Sequence, residues 1–214
     1  MIDPAAVNAD LLDQYARRRV CGLRVNLYSK SLARGSESTE DLLRGAIESV
    51  PRVGWHVEII AQASTLFSAA RVIGSSAIPI VIDHYGLPDN FVPQSAEGQK
   101  LLELVRLPHV WVKLSAPYRV GDDPLATKPP SDWLIALAHA APGRCVWGSD
   151  WPHTPSSHDQ KGAGCAVFYR KMEYSKLFRE FVQALGDPTA SERILVTNPA
   201  RLYGFPSGSS ENLH

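Results

Sequence analysis

The chain has 214 residues, 44% of them hydrophobic and 21% charged, the composition of a globular domain with material for a real core. Lysine plus arginine and aspartate plus glutamate balance at 22 each, so bulk charge draws the chain neither to nucleic acid nor to an anionic membrane. The three cysteines, Cys21, Cys145 and Cys165, fit neither a disulfide framework nor a zinc ribbon, no apolar run approaches the roughly 20 residues that span a bilayer, and the polar start MIDPAAVNAD is not a signal peptide; a reducing cytosol is the expected setting.

From about Asp3 to Arg19, Val7, Leu11, Leu12 and Tyr15 fall at helical spacing, and Pro4 suits a first turn. Gly22 to Tyr28 alternates large apolar residues with Arg24 and Asn26, which predicts a strand whose polar side chains face one way. Ser38 and Thr39 can cap a helix from Glu40 to Val50, closed by Pro51, and Trp55 to Ala61 is again strand-like. A helix around Ser64 to Ile73 leads into Ile78 to Ile82, a continuous apolar strand of the kind buried on both faces, which ends in Asp83 and His84. A helix from Ala96 to Leu107, a strand from Val110 to Ser115 and a helix from Asp132 to Ala140 follow. Val146 and Trp147 then form a short strand that opens through Gly148 and Ser149 onto Asp150. After a loop from His153 to Gly164 come a helix from Glu173 to Leu185, ended by Gly186, and a short closing helix in NPARLYGF. Five strand-then-helix units about thirty residues apart are the spacing of right-handed βαβ crossovers, so the expected fold is α/β, a parallel sheet covered by helices. One domain over residues 1–206 is expected, followed by a polar tail at 207–214.

The C-terminal ends of parallel strands share one rim, so polar residues there can be compared although they are far apart in sequence. Arg24, Asn26 and Lys30 belong to the first strand and its loop, His56 to the second, His84 to the third, Lys113, Ser115 and Arg119 to the fourth, and Asp150 with His153 to the fifth. Cations outnumber acids in that set, which suits a small anionic substrate, since guanidinium groups clamp carboxylates with paired hydrogen bonds. His153 is counted with the substrate-binding residues. His56, near the start of its strand, reads as a packed or surface histidine, and Lys113 either pairs with an interior acid or touches substrate. Arg119 either solvates its loop or belongs to the site. His84 reads as functional, with the neighbouring Asp83 able to set its tautomer. Asp150, after Gly-Ser at a strand end, is either a turn former or an acid poised for chemistry.

With DHYG at Asp83 to Gly86, VWVKLS at Val110 to Ser115, GSDWPH at Gly148 to His153 and NPARLYGF at Asn198 to Phe205, the chain resembles the amidohydrolase-related hydrolases over nearly its whole length. Within them it is most similar to the 2-pyrone-4,6-dicarboxylate lactonase group. The resemblance implies a TIM (β/α)8 barrel whose fourth to eighth strands are the five seen here. A full barrel takes roughly 250 residues, and the His-x-His pair of the family's first strand does not occur, so a barrel shortened at its N-terminus is expected. Position by position, Asp150 resembles the general base that takes a proton from the attacking water, and His84 a histidine lining the same pocket. Arg24, Lys30 and Arg119 fall where such enzymes place cations that hold substrate carboxylates. Lys30 stands where an arginine is typical, and so does Leu87 after HYG, so dicarboxylate recognition is expected to be weakened or redirected.

No cofactor is expected, because lactonases of this group work without metal and the absent pair leaves two metal ligands at most. The resemblance leaves open a metal-dependent decarboxylase or amidohydrolase, and a non-catalytic barrel fragment that oligomerises through exposed strand edges. No nucleic-acid or membrane partner is expected.

Overall fold

The computed structural model of the chain describes residues 9–28, 38–50, 54–155 and 168–205. Five strands, β1 (Gly22–Asn26), β2 (His56–Ile60), β3 (Ile80–Ile82), β4 (Val110–Ser115) and β5 (Cys145–Gly148), form one sheet. They lie in chain order and every neighbouring pair is parallel. Sequential parallel order requires a crossover between each strand and the next, and helices supply it: α2 (Thr39–Ser49) after β1, α3 (Ala63–Ser68) and α4 (Ala70–Gly74) after β2, α5 (Ala96–Arg106) after β3 and α6 (Ser131–Ala140) after β4; α7 (Tyr174–Leu185) follows β5. The helix α1 (Ala9–Arg17) precedes β1, and α8 (Pro188–Glu192), a π turn and α9 (Asn198–Tyr203) close the described chain. Among the described residues no helix is long and apolar enough to cross a membrane.

The two faces of the sheet differ because strand side chains alternate. Val57, Ile59, Ile80, Ile82, Val112, Leu114 and Cys145 turn outward onto the helices and are fully buried in the main core with Leu43, Leu66, Leu101 and Leu134. Each such side chain contributes at most about 1.5–3 kcal/mol. On the inner face Val81, Trp111 and Val146 form a second, small apolar cluster, against which Leu202 of α9 packs. Arg201 of the same helix stacks its guanidinium 4.7 Å from the centre of the Trp111 ring. Tyr203 meets the His56 ring edge-on at 5.7 Å. One end of the inner face is therefore plugged by the C-terminal helix, which leaves the strands' C-terminal end as the open one.

Two departures from the expected elements have local causes. The helix expected over Ser64 to Ile73 divides at Ala69, whose φ of −96° and ψ of 5° leave the helical region. The bend lets Leu66 from one piece and Val72 and Ile73 from the other all reach the core. The strand expected from Ile78 pairs only from Ile80, because Pro79 has no N–H to give the ladder, although its carbonyl accepts from Val57. A Cβ on Gly22 would sit 2.3 Å from the packed His56 ring, which requires glycine there, while one on Gly148 would sit 3.3 Å from the flexible Lys113 side chain.

Candidate active site

The inner face carries two polar layers. The lower one is set by strand register: Arg24 of β1 lies opposite Glu58 of β2, and Lys113 of β4 reaches back across β3. Glu58 accepts from both Arg24 Nε and Lys113 Nζ. Asp83, at the end of β3 and 1% exposed, has Lys113 Nζ at 2.9 Å and an Arg24 nitrogen at 3.6 Å, yet neither of its oxygens accepts a well-directed hydrogen bond. Burial works to raise Glu58, but the attraction of Lys113 and then Arg24 outweighs it and holds the carboxyl at about 2. Burial dominates at Asp83 and lifts its carboxyl to about 7, against the pull of Lys113. Two acids and two cations close on one another, and Lys113 is kept protonated by Asp83 and Glu58 despite its own burial.

The upper layer lies at the rim, on backbone that packing rather than propensity holds. His84, Tyr85, Leu87 and Asp89 after β3, Ala116 after β4, and Asp150 and His153 after β5 all have positive φ; among the described non-glycine residues only Arg19 shares that conformation. Each costs of order 1 kcal/mol, and such residues gather where a site over-determines its backbone. Asp150 Oδ2 accepts from the Tyr118 hydroxyl at 2.7 Å and from Arg119 Nε at 3.1 Å. The other oxygen, Oδ1, is 3.9 Å from His84 Nε2. His84, 3% exposed, meets the Ser115 hydroxyl through Nδ1 at 2.9 Å. Burial pushes its imidazole down to about 4, so it is neutral at pH 7. His153, 6% exposed, has its Nδ1 3.2 Å from the Tyr118 hydroxyl. Arg119 also donates to the Thr154 carbonyl at 2.9 Å and hydroxyl at 3.0 Å, which ties the β4 and β5 loops together.

A carboxylate with one oxygen anchored and the other facing a neutral imidazole is chemically able to take a proton from a water. The amidohydrolase family model matches residues 1–205. The chain belongs to the amidohydrolase family. It is 28% identical over 196 residues to the 4-sulfomuconolactone hydrolase of Hydrogenophaga intermedia, which covers 90% of this chain and 60% of that protein. It is 25% identical over 206 residues to the 2-pyrone-4,6-dicarboxylate hydrolase of Comamonas testosteroni, covering 90% of this chain and 62% of that one. The chain thus spans about three fifths of the length of these two relatives. A solved structure of a probable 2-pyrone-4,6-dicarboxylic acid hydrolase from Acinetobacter baumannii, with citric acid bound, superposes with a TM-score of 0.69 at 24% identity, over 96% of this chain and 72% of that chain. That likeness is one of fold: the parallel sheet is part of an amidohydrolase-type α/β barrel.

Of the residues the sequence singled out, Asp150, His84, Arg119 and His153 come together at the rim. Arg24 lies one layer lower with its Nε turned to Glu58, though 55% of its side chain is exposed. Lys30 lies outside the described residues. Leu87 is buried and 5% exposed, with its N–H donated to the His84 carbonyl. The expectation that Asp83 sets the His84 tautomer is corrected: the partner of Nδ1 is Ser115, and Asp83 faces Lys113. Lys113 pairs with interior acids, one of its two readings, and His56 is packed.

Sequence reasoning missed Tyr118 and Glu58. The lone acid inside WHVEIIA was a usable signal for Glu58, while nothing local marks Tyr118. Among the described residues no group of three or more His, Cys, Asp or Glu side chains is arranged to hold a metal ion. His84 with Asp150 makes two donors, and Asp150 Oδ2 is already taken, which does not fit a divalent site with three protein ligands. A concavity of about 400 Å³ lined by the loops after β3 and β4, Phe91 and Trp133 among its residues, includes none of the residues around Asp150.

Proposed function

We propose that the chain carries the catalytic base of a lactone-opening hydrolase, Asp150, and that the substrate is a small carboxylated ring compound. The observation that carries this reading is the division of labour within Asp150: Oδ2 is anchored by Tyr118 and Arg119, while Oδ1 faces His84. A water held at the rim gives a proton to Asp150, and its oxygen bonds to the lactone carbonyl carbon. The resulting oxyanion is stabilised by neutral His84 acting as a donor and by the nearby guanidinium of Arg119, groups already fixed before the charge develops. Collapse breaks the ring C–O bond, and the proton held by Asp150 passes to the departing oxygen. The exposed part of Arg24, together with Lys30, would hold a substrate carboxylate.

The relatives support the chemical class, since both printed names denote acid-bearing lactones or pyrones. The experiment is a panel of carboxylated and neutral lactones and pyrones, followed by loss of the ring chromophore. Opening of a carboxylated member, with neutral analogues at least tenfold slower, is the expected outcome; no opening of any member refutes the reading.

A further inference from the structure

Asp150 is ionised when it acts as a base, and an ionised carboxylate only accepts hydrogen bonds. The Tyr118 oxygen, 2.7 Å from Oδ2, must therefore spend its single proton on Asp150. Burial, reinforced by the Asp150 charge, raises the Tyr118 phenol well above its ordinary range, so that proton stays in place. What Tyr118 turns to His153 Nδ1, 3.2 Å away, is then a lone pair, and Nδ1 must carry the hydrogen.

The backbone prepares this arrangement. The His153 N–H donates to the Asp150 carbonyl at 2.7 Å, and the Arg170 N–H donates to the His153 carbonyl at 2.9 Å, so the imidazole is delivered from a pinned turn. Its ring meets the Tyr118 ring edge-on with centroids 6.1 Å apart. With Arg119 Nε as the second donor, Oδ2 is filled, and Oδ1 is left on the His84 side.

We propose that His153 and Tyr118 form a one-way chain of donors into Asp150 Oδ2, so that Oδ1 is the proton-accepting atom and His153 is a positioning residue locked in its Nδ1–H tautomer. The proposal rests on the reading of Asp150 as the base, but its first test does not need turnover. Nitrogen-15 two-bond spectra of the histidine-labelled 214-residue chain, with the His153 signals identified by His153→Gln, should show Nδ1 protonated and Nε2 bare at neutral pH. In Tyr118→Phe, which keeps the buried ring and loses the oxygen, His153 should revert to the Nε2–H form that free imidazole favours.

An Nε2–H tautomer in the unmodified chain overturns the proposal, even if Tyr118→Phe does not fold, and so does a tautomer indifferent to Tyr118→Phe. On any lactone the unmodified chain opens, Tyr118→Phe should lower kcat about 10- to 100-fold with KM within about twofold, as loss of a hydrogen bond to a charged group predicts. An unchanged kcat in the folded variant also overturns it. If no lactone is opened, the lactonase reading falls while the tautomer still decides this one.

Discussion

The two polar layers of the inner face are built from the same kinds of side chain and end in opposite states. Arg24, Glu58, Asp83 and Lys113 pair their charges with one another beneath the rim, two cations against two acids, although the Asp83 oxygens accept no well-directed hydrogen bond. Asp150, Tyr118, Arg119 and His84 use almost the same chemistry but leave a carboxylate oxygen and an imidazole nitrogen 3.9 Å apart with no hydrogen bond between them. Charge in a strand interior is a folding problem, solved by pairing. The same charge at a strand end, on strained backbone, is left incomplete, and that incompleteness is where a substrate can add contacts.

Breaking the closed layer should cost mostly stability. Lys113→Met strands two buried carboxylates with only Arg24 beside them and should destabilise the fold by about 3 kcal/mol in a denaturant titration. A loss below about 1 kcal/mol would mean that the layer is not closed.

Next in size is a pH effect that sets the layers against each other. His84, lowered to about 4, contributes stability that is complete above its ordinary 6.5 and lost as pH falls through 4. Asp83, raised to about 7, contributes stability that is complete below its ordinary 3.8 and lost as pH rises through 7. The slopes oppose each other, and His56 and His153, also lowered by burial, add to the His84 side, so in melts His84→Gln should make the change in stability from about pH 4 to 7 less positive than in the unmodified chain. A variant whose stability changes with pH over that interval as steeply upward as the unmodified chain's would contradict the assignment.

The smallest effect is expected from Ser115→Ala, which removes the hydroxyl on His84 Nδ1. It should cost about 1 kcal/mol in the melt and lower turnover severalfold through a looser imidazole. Equal loss from Ser115→Ala and Lys113→Met would erase the distinction between the layers.

The sheet was legible because each strand and each crossover helix announces itself locally. Val110 to Ser115 was read to the residue, and Asp150 followed from a strand that stops at Gly-Ser-Asp. Partnerships were not legible, because register decides them. Nothing near Glu58 says that Arg24 lies opposite it, and nothing in PYRV says that the Tyr118 hydroxyl reaches Asp150 across 32 residues. Adjacency in sequence misled at His84: Asp83 is its chain neighbour, but successive residues at a strand end point apart, and the ring turned to Ser115 on the next strand. Pro79 and Ala69 shifted element ends for reasons of backbone geometry that hydrophobic pattern does not record.

The most direct test of the central claim is the turnover of Asp150→Asn against the unmodified chain, on a lactone the latter opens and at matched folded fraction. The account predicts a fall in kcat of at least about 10³-fold, since an amide of the same shape keeps the Tyr118 and Arg119 contacts within reach but cannot take the proton. A variant that turns over within about tenfold of the unmodified chain would contradict it, and Asp150 would then be an anchor like Glu58 rather than the base.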